Sequence, residues 1–147
     1  MKPEETFDFQ IRSSWIGMSK MYNDAVASHG TTMSIAFVLL SIDVKNGSRS
    51  TALGPKMGME ATSLSRLLKN MENDGLIYRE QHPEDKRSVL IKLTADGVEM
   101  RNKSKGIVLE FNEKAYQALT PKEAEAFFST MKKLNNVVST LRKDLAQ

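Results

Sequence analysis

The stretch from Gly58 to Ile77 constrains the fold more than any other. On a helix of about 3.6 residues per turn, Leu64, Leu67, Leu68 and Met71 fall on one side, while Thr62, Ser65, Arg66, Lys69 and Asn73 fall on the other. One face packs and the other is polar. Thr62, Ser63 and Ser65 put short hydroxyl side chains near the N-terminal end, Arg66 and Lys69 put cations on the following turns, and Glu72 lies to one side. Small residues let a backbone approach a DNA major groove, and Arg, Ser and Thr can read base edges or grip phosphate. Alone, the same pattern describes an ordinary amphipathic surface helix, so its meaning depends on its neighbours.

Upstream, Ser48 to Met57 reads as a brief extended piece and then a short helix, with Ser50 or Thr51 as cap and Leu53 and Met57 facing inward. Gly54 and Pro55 interrupt it, and Pro inside a helix removes a backbone hydrogen bond, which predicts a distorted or late-starting helix. Gly58 ends it. Two helices joined by a tight Gly-containing turn, the second polar outside, make a helix-turn-helix, and Gly54 would let the two approach where they cross. Downstream, Gly75 closes the second helix and two alternating segments follow, Ile77 to His82 and Ser88 to Leu93, joined by Pro83-Glu84-Asp85-Lys86-Arg87. A hairpin in this place is a wing with a charged tip. Arg87 is the candidate for a narrow minor groove, with Lys86 beside it, and Asp85 is close enough in sequence to hold the Arg87 guanidinium. A plain solvated turn pair is the competing reading of Asp85 and Arg87.

The flanks are helical. Phe7, Ile11, Trp15, Met18, Tyr22 and Val26 recur at spacings of four and three, predicting one long helix from about Glu5 to Ser28 that His29-Gly30 stops. Thr31-Thr32 then caps a second helix, Met33 to about Val44, apolar nearly all round and therefore central to the core. Thr94 caps a helix carrying Val98, Ile107, Val108, Phe111, Ala115 and Leu119, weakened by Gly97 and Gly106. Thr120-Pro121 with Glu123 forms a capping box for a last helix. The expected organisation is one subunit, mainly α with a small β-hairpin wing: a winged helix-turn-helix at residues 31–94 between helical regions at 1–30 and 95–147. The flanking helices carry more apolar stripe than such a module can cover, which predicts a homodimer.

Charge agrees with a polyanion partner but does not demand one. Residues 1–44 carry a net −2, residues 45–94 carry nine Lys and Arg against six Asp and Glu, and residues 95–147 carry a net +2. The basic excess sits with the helix-turn-helix and wing. The chain has no cysteine, which excludes disulfides, thiolate metal sites and a cysteine nucleophile. Met1-Lys2-Pro3-Glu4-Glu5 leads into a polar helix pattern, and no run reaches the roughly 20 apolar residues of a membrane span, so the expected place is the cytoplasm with no membrane partner.

With these elements in place the chain resembles the MarR family of bacterial transcription regulators. The carrying residues are Pro83-Glu84-Asp85-Lys86-Arg87-Ser88 and then Leu93-Thr94-Ala95-Asp96-Gly97, which match the family's D-x-R, strand, L-T-x-x-G wing pattern. Thr62-Ser63-Leu64-Ser65-Arg66 and Gly75-Leu76-Ile77 match its recognition helix and closing turn. The resemblance spans the whole chain. It implies a homodimer formed by the N- and C-terminal helices that binds pseudo-palindromic operators, usually as a repressor, with release by a small phenolic or other anionic ligand in many members. It also implies that Thr62, Ser63, Ser65, Arg66 and Lys69 face the major groove and that Asp85 and Arg87 are the wing pair. Gly54-Pro55 replaces the family's usual Ala and polar residue, and the absence of Cys excludes thiol-based oxidant sensing here.

Other function classes have less support. A winged helix that binds protein and not DNA is the alternative, opposed by the basic, hydroxylated face and by Arg87. For an enzyme, His29 and His82 are far apart and have no evident base or ligand partners, and no phosphate loop, nucleophile elbow or zinc spacing occurs, so neither a metal nor a cofactor is expected. Trp15, Met18, Tyr22 and Phe37 could line a pocket for a small-molecule effector, although such residues are more often simple core or dimer interface. For symmetric dimers the two recognition helices lie roughly 34 Å apart, one turn of duplex, which predicts an inverted-repeat target.

Overall fold

The computed structural model describes residues 1–146. After a short 3-10 turn at Pro3–Glu5, the order is α1 (Phe7–Ala27), α2 (Met33–Ser41), β1 (Ser48–Arg49), α3 (Ser50–Met57), α4 (Ala61–Asn73), β2 (Ile77–Gln81), β3 (Val89–Leu93), α5 (Ala95–Ala118) and α6 (Pro121–Leu145). Two compact units are present, Met1–Ile107 and Val108–Gln147. Among the described residues no helix is long and apolar enough to cross a membrane.

The core of the first unit is built from the stripes the sequence predicts. Val38, Leu39 and Ile42 from the α2 segment, Leu53 from α3, Leu64, Leu68 and Met71 from α4, Ile77 from β2 and Ile91 from β3 form one buried cluster. The mostly apolar α2 lies in its centre because it has apolar side chains to bury in several directions. Thr32 caps it by accepting a hydrogen bond from the Ile35 N–H at 3.3 Å. The helix ends at Ser41, three residues before the expected Val44. The Asp43 carboxylate accepts hydrogen bonds from the Lys45 and Asn46 N–H groups at 2.9 and 2.7 Å, giving the backbone a turn that competes with helix.

The sheet has three strands in the order β1-β3-β2, all antiparallel. The wing hairpin pairs Ile77 with Leu93 through to Gln81 with Val89. Ser48 and Arg49 add a third strand against Ile91 and Leu90 of β3. This pairing corrects the expected cap of α3: the helix starts directly after β1, Arg49 holds the N-cap position without a side-chain cap bond, and Ser50 and Thr51 already lie in the first turn. Pro55 is accommodated inside α3, which starts at Ser50 and not late.

In the second unit α6 begins with the expected capping box. The Glu123 N–H donates to Thr120 Oγ1 at 3.3 Å, and the Thr120 N–H donates to Glu123 Oε2 at 2.8 Å. Apolar residues outnumber buried places on the flanking helices. On α1 only Tyr22 and Val26 are buried, and on α6 only Ala124 is, while Phe127, Phe128, Val138 and Leu141 are all more than half exposed.

Candidate nucleic-acid interface

The polar face of α4 is open. Thr62, Ser63, Ser65, Arg66 and Lys69 are all exposed, opposite the buried Leu64, Leu68 and Met71. At roughly 100° per residue, Thr62, Arg66, Lys69 and Asn73 share one narrow stripe, Ser65 borders it and Ser63 stands on its flank. No described carboxylate pairs with Arg66, Lys69, Lys86 or Arg87, whereas Arg49, Arg79, Lys92, Lys103 and Lys114 are all in ion pairs. The cations of the α4 face and wing tip are therefore free for an external anion. Glu72, at the edge of α4, is turned to Arg79 of β2 at 3.5 Å, which removes its charge from the stripe and ties the wing to the helix.

The wing tip differs from the expectation in one respect. Asp85 does not hold the Arg87 guanidinium. Its Oδ1 accepts from the Arg87 backbone N–H at 3.0 Å, and its Oδ2 accepts from the Ser88 hydroxyl at 3.0 Å. The charge that faces it is Arg49, whose Nη1 lies 3.7 Å from Oδ2 and also donates to Ser88 Oγ at 3.2 Å. These bonds, led by the one from the Arg87 N–H, hold the Asp85 carboxyl below its ordinary range. The physical reason is reach: a side chain of Asp closes most easily on N–H groups two or three residues ahead, an Asx-type turn, and this leaves the Arg87 side chain free. The hairpin ladder continues past the strands through the His82 N–H bonded to the Ser88 carbonyl at 3.0 Å.

The turn that closes α4 is fastened to the start of α5. Gly75 takes the left-handed conformation, φ 74°, and the Leu76 N–H returns to the Met71 carbonyl at 2.9 Å, a Schellman ending. Thr94 then joins both sides: its hydroxyl donates to the Gly75 carbonyl at 2.6 Å and accepts from the Gly97 N–H at 3.0 Å, and its N–H donates to the Leu76 carbonyl at 3.1 Å. A Cβ on Gly97 would collide with that Leu76 carbonyl oxygen. Gly97 is thus a close-contact glycine. Gly54 meets the start of α4 as expected, but a Cβ there would stand 3.5 Å from the Met59 carbonyl and 3.6 Å from Leu64 Cδ2, ordinary contact distances. The sequence reading overlooked Arg49, whose partners Asp85 and Ser88 lie beyond β2, Ser88 at 39 residues' distance, and took Gly97 only as a weak helix position.

Three of the four residues considered for a pocket come together. Phe37 of α2 stacks on Trp15 at 6.2 Å between ring centres and meets Tyr22 edge-on at 6.1 Å. Tyr22 is buried, which pushes its phenol pKa up, while Trp15 remains 46% exposed and Met18 is half-buried beside them on α1.

Comparison with known proteins agrees with this geometry. The model of the MarR family matches residues 31–89. The organic hydroperoxide resistance transcriptional regulator of Bacillus subtilis (strain 168) is 32% identical over 104 residues, covering 71% of each chain. Among solved structures, the MepR–DNA complex of S. aureus superposes with a TM-score of 0.81 at 20% identity, over 90% of this chain and 98% of that one. The PcaV transcriptional regulator of Streptomyces coelicolor, in complex with its natural ligand, gives 0.78 at 18% identity over 94% and 97%.

Proposed function

The chain belongs to the MarR family of transcription regulators, and from that premise we propose that it acts in the cytoplasm, without catalysis, as a homodimeric repressor that binds double-stranded DNA at a pseudo-palindromic operator. The observation that carries this reading is the exposed α4 face of Thr62, Arg66 and Lys69, backed by buried leucines and free of carboxylate partners. In this reading Thr62, Ser63, Ser65, Arg66 and Lys69 enter the major groove, and Lys86 and Arg87 on the wing reach the phosphates and the adjacent minor groove. Asp85 shapes the wing loop and leaves the duplex to its neighbours. Residues 31–94 are the DNA-binding module, and residues 1–30 and 95–147 are the dimerisation region, which puts the exposed Phe127, Val138 and Leu141 against a second copy.

The aromatic trio of Trp15, Tyr22 and Phe37, with Met18 alongside, is the proposed effector pocket, suited to a flat aromatic or phenolic ligand that changes DNA affinity. With no cysteine in the sequence, thiol-based oxidant sensing is excluded and the effector is read as a bound small molecule. The test is DNA titration of the purified protein at two salt concentrations, using a duplex selected by the wild type from a randomised pool, with Arg66→Ala and Arg87→Ala alongside. Salt-sensitive binding weakened by both changes is expected. Binding indifferent to both would move the reading to a winged helix that contacts protein.

A further inference from the structure

Arg49 lies where the helix-turn-helix meets the sheet, the last residue of β1, opposite Leu90 of β3 and in the N-cap position of α3. We propose that Arg49 is a positioning residue for DNA binding: its guanidinium holds the wing loop in the shape that presents Arg87, without itself contacting the duplex. The inference rests on the wing being a DNA-binding element.

The contacts form a chain. Arg49 Nη1 donates to Ser88 Oγ at 3.2 Å, the same hydroxyl donates to Asp85 Oδ2 at 3.0 Å, and Asp85 Oδ1 takes the Arg87 backbone N–H at 3.0 Å. One cation from β1 is thereby linked to the main chain of the residue at the tip. The third neighbour, His82 Nε2 at 3.4 Å from Nη2, does not contribute a firm bond. His82 Nδ1 already accepts the Glu84 N–H at 3.1 Å, and a neutral imidazole accepts at only one nitrogen. Ser88 and Asp85 are the groups that hold Arg49.

The alternative is that Arg49 grips a phosphate, as an Arg at a helix N-terminus beside DNA could. Its commitment inside the protein opposes this. A guanidinium already paired with Asp85 offers little net positive charge to a backbone phosphate, in contrast to Lys86 and Arg87. The pair is about half exposed, 47% and 43%, so it adds little to global stability, and its effect belongs in the order of the loop.

Three measurements test this. Hydrogen exchange at the Arg87 and Ser88 amides should speed up in Arg49→Ala while the denaturation midpoint stays in place; unchanged exchange overturns the proposal. Fluorescence anisotropy with the pool-selected duplex should show Arg49→Ala and Arg49→Lys both weakening binding, by up to about five-fold for each engaged wing, with the salt slope of wild type. A slope lower by about one per site would mean a direct phosphate contact and would overturn it. In an Arg87→Ala background Arg49→Ala should cost nothing further; an undiminished cost overturns it. If Arg87→Ala alone is silent, the wing reading fails, and faster amide exchange in Arg49→Ala would still report the loop-holding role separately.

Discussion

Replacing Gly97 by Ala should destabilise the fold, and replacing Gly54 by Ala should not. Both glycines are buried and both lie in helices, so helix propensity alone predicts that each change stabilises by up to about 1 kcal/mol. The structure separates them. At Gly54 a methyl stands at ordinary contact distance from Met59 and Leu64, and the expected result is a gain of about 0.5 kcal/mol or no change. At Gly97 the methyl would overlap the Leu76 carbonyl oxygen, a backbone atom that cannot rotate away. Overpacking costs about 1–3 kcal/mol. The shift also strains the Thr94 bonds to the Leu76 and Gly75 carbonyls, each worth about 1 kcal/mol, for a net loss of about 2–4 kcal/mol. With a urea slope of about 2 kcal/mol/M for a chain of this size, the midpoint should fall by about 1–2 M. The assay is urea denaturation followed by far-ultraviolet circular dichroism, at one fixed protein concentration because a dimer's midpoint depends on it. An unchanged midpoint for Gly97→Ala, or a fall of more than 0.5 M for Gly54→Ala, would refute the reasoning.

Further outcomes follow from the same contacts. Thr120→Ala should destabilise by about 1 kcal/mol through loss of the α6 capping box, read from the same denaturation curves, and Thr120→Ser should recover most of it. The Asp85 carboxyl is held below its ordinary value of 3.8, so the loop order it provides is complete above that pH and is lost as the pH falls through the lower folded value. Amide exchange at Arg87 and Ser88, corrected for intrinsic pH dependence, should show this loss, and Asp85→Asn should remove the acid-range dependence. Trp15 is the single tryptophan and sits against Phe37, so an aromatic acid entering the proposed pocket should change its fluorescence, and Phe37→Ala should abolish that change. A panel of aromatic acids that alters DNA binding without altering Trp15 emission would place the effector elsewhere.

The helices and the wing were legible because each rests on a periodicity or a local stop signal. The α4 stripe, the Thr32 and Thr120 caps and the glycines after α1, α3 and α4 all act within a few residues, and all appear in the structure. What sequence could not give are contacts decided by distant parts of the chain. Asp85 has two cations near it in sequence, Lys86 and Arg87, yet the side chain it faces is Arg49, brought in by a brief extended piece whose pairing with β3 has no local signal. The glycine roles exchanged for the same reason: whether a glycine is required depends on which atom stands over its Cα, and the carbonyl above Gly97 comes from Leu76, in the turn after α4.

The Thr94 and Gly97 junction has a mechanical consequence. The turn that closes α4 is riveted to the first turn of α5, so the C-terminal end of α4 cannot move independently of the start of that helix. At 13 residues α4 is about 20 Å long, and a tilt of about 10° about that junction sweeps its N-terminal end through roughly 3.4 Å. One base-pair step is about 3.4 Å. In the proposed reading a tilt of that size carries Thr62 and Ser63, at the free end of α4, by one base-pair step, and the junction is the fulcrum that sets their reach.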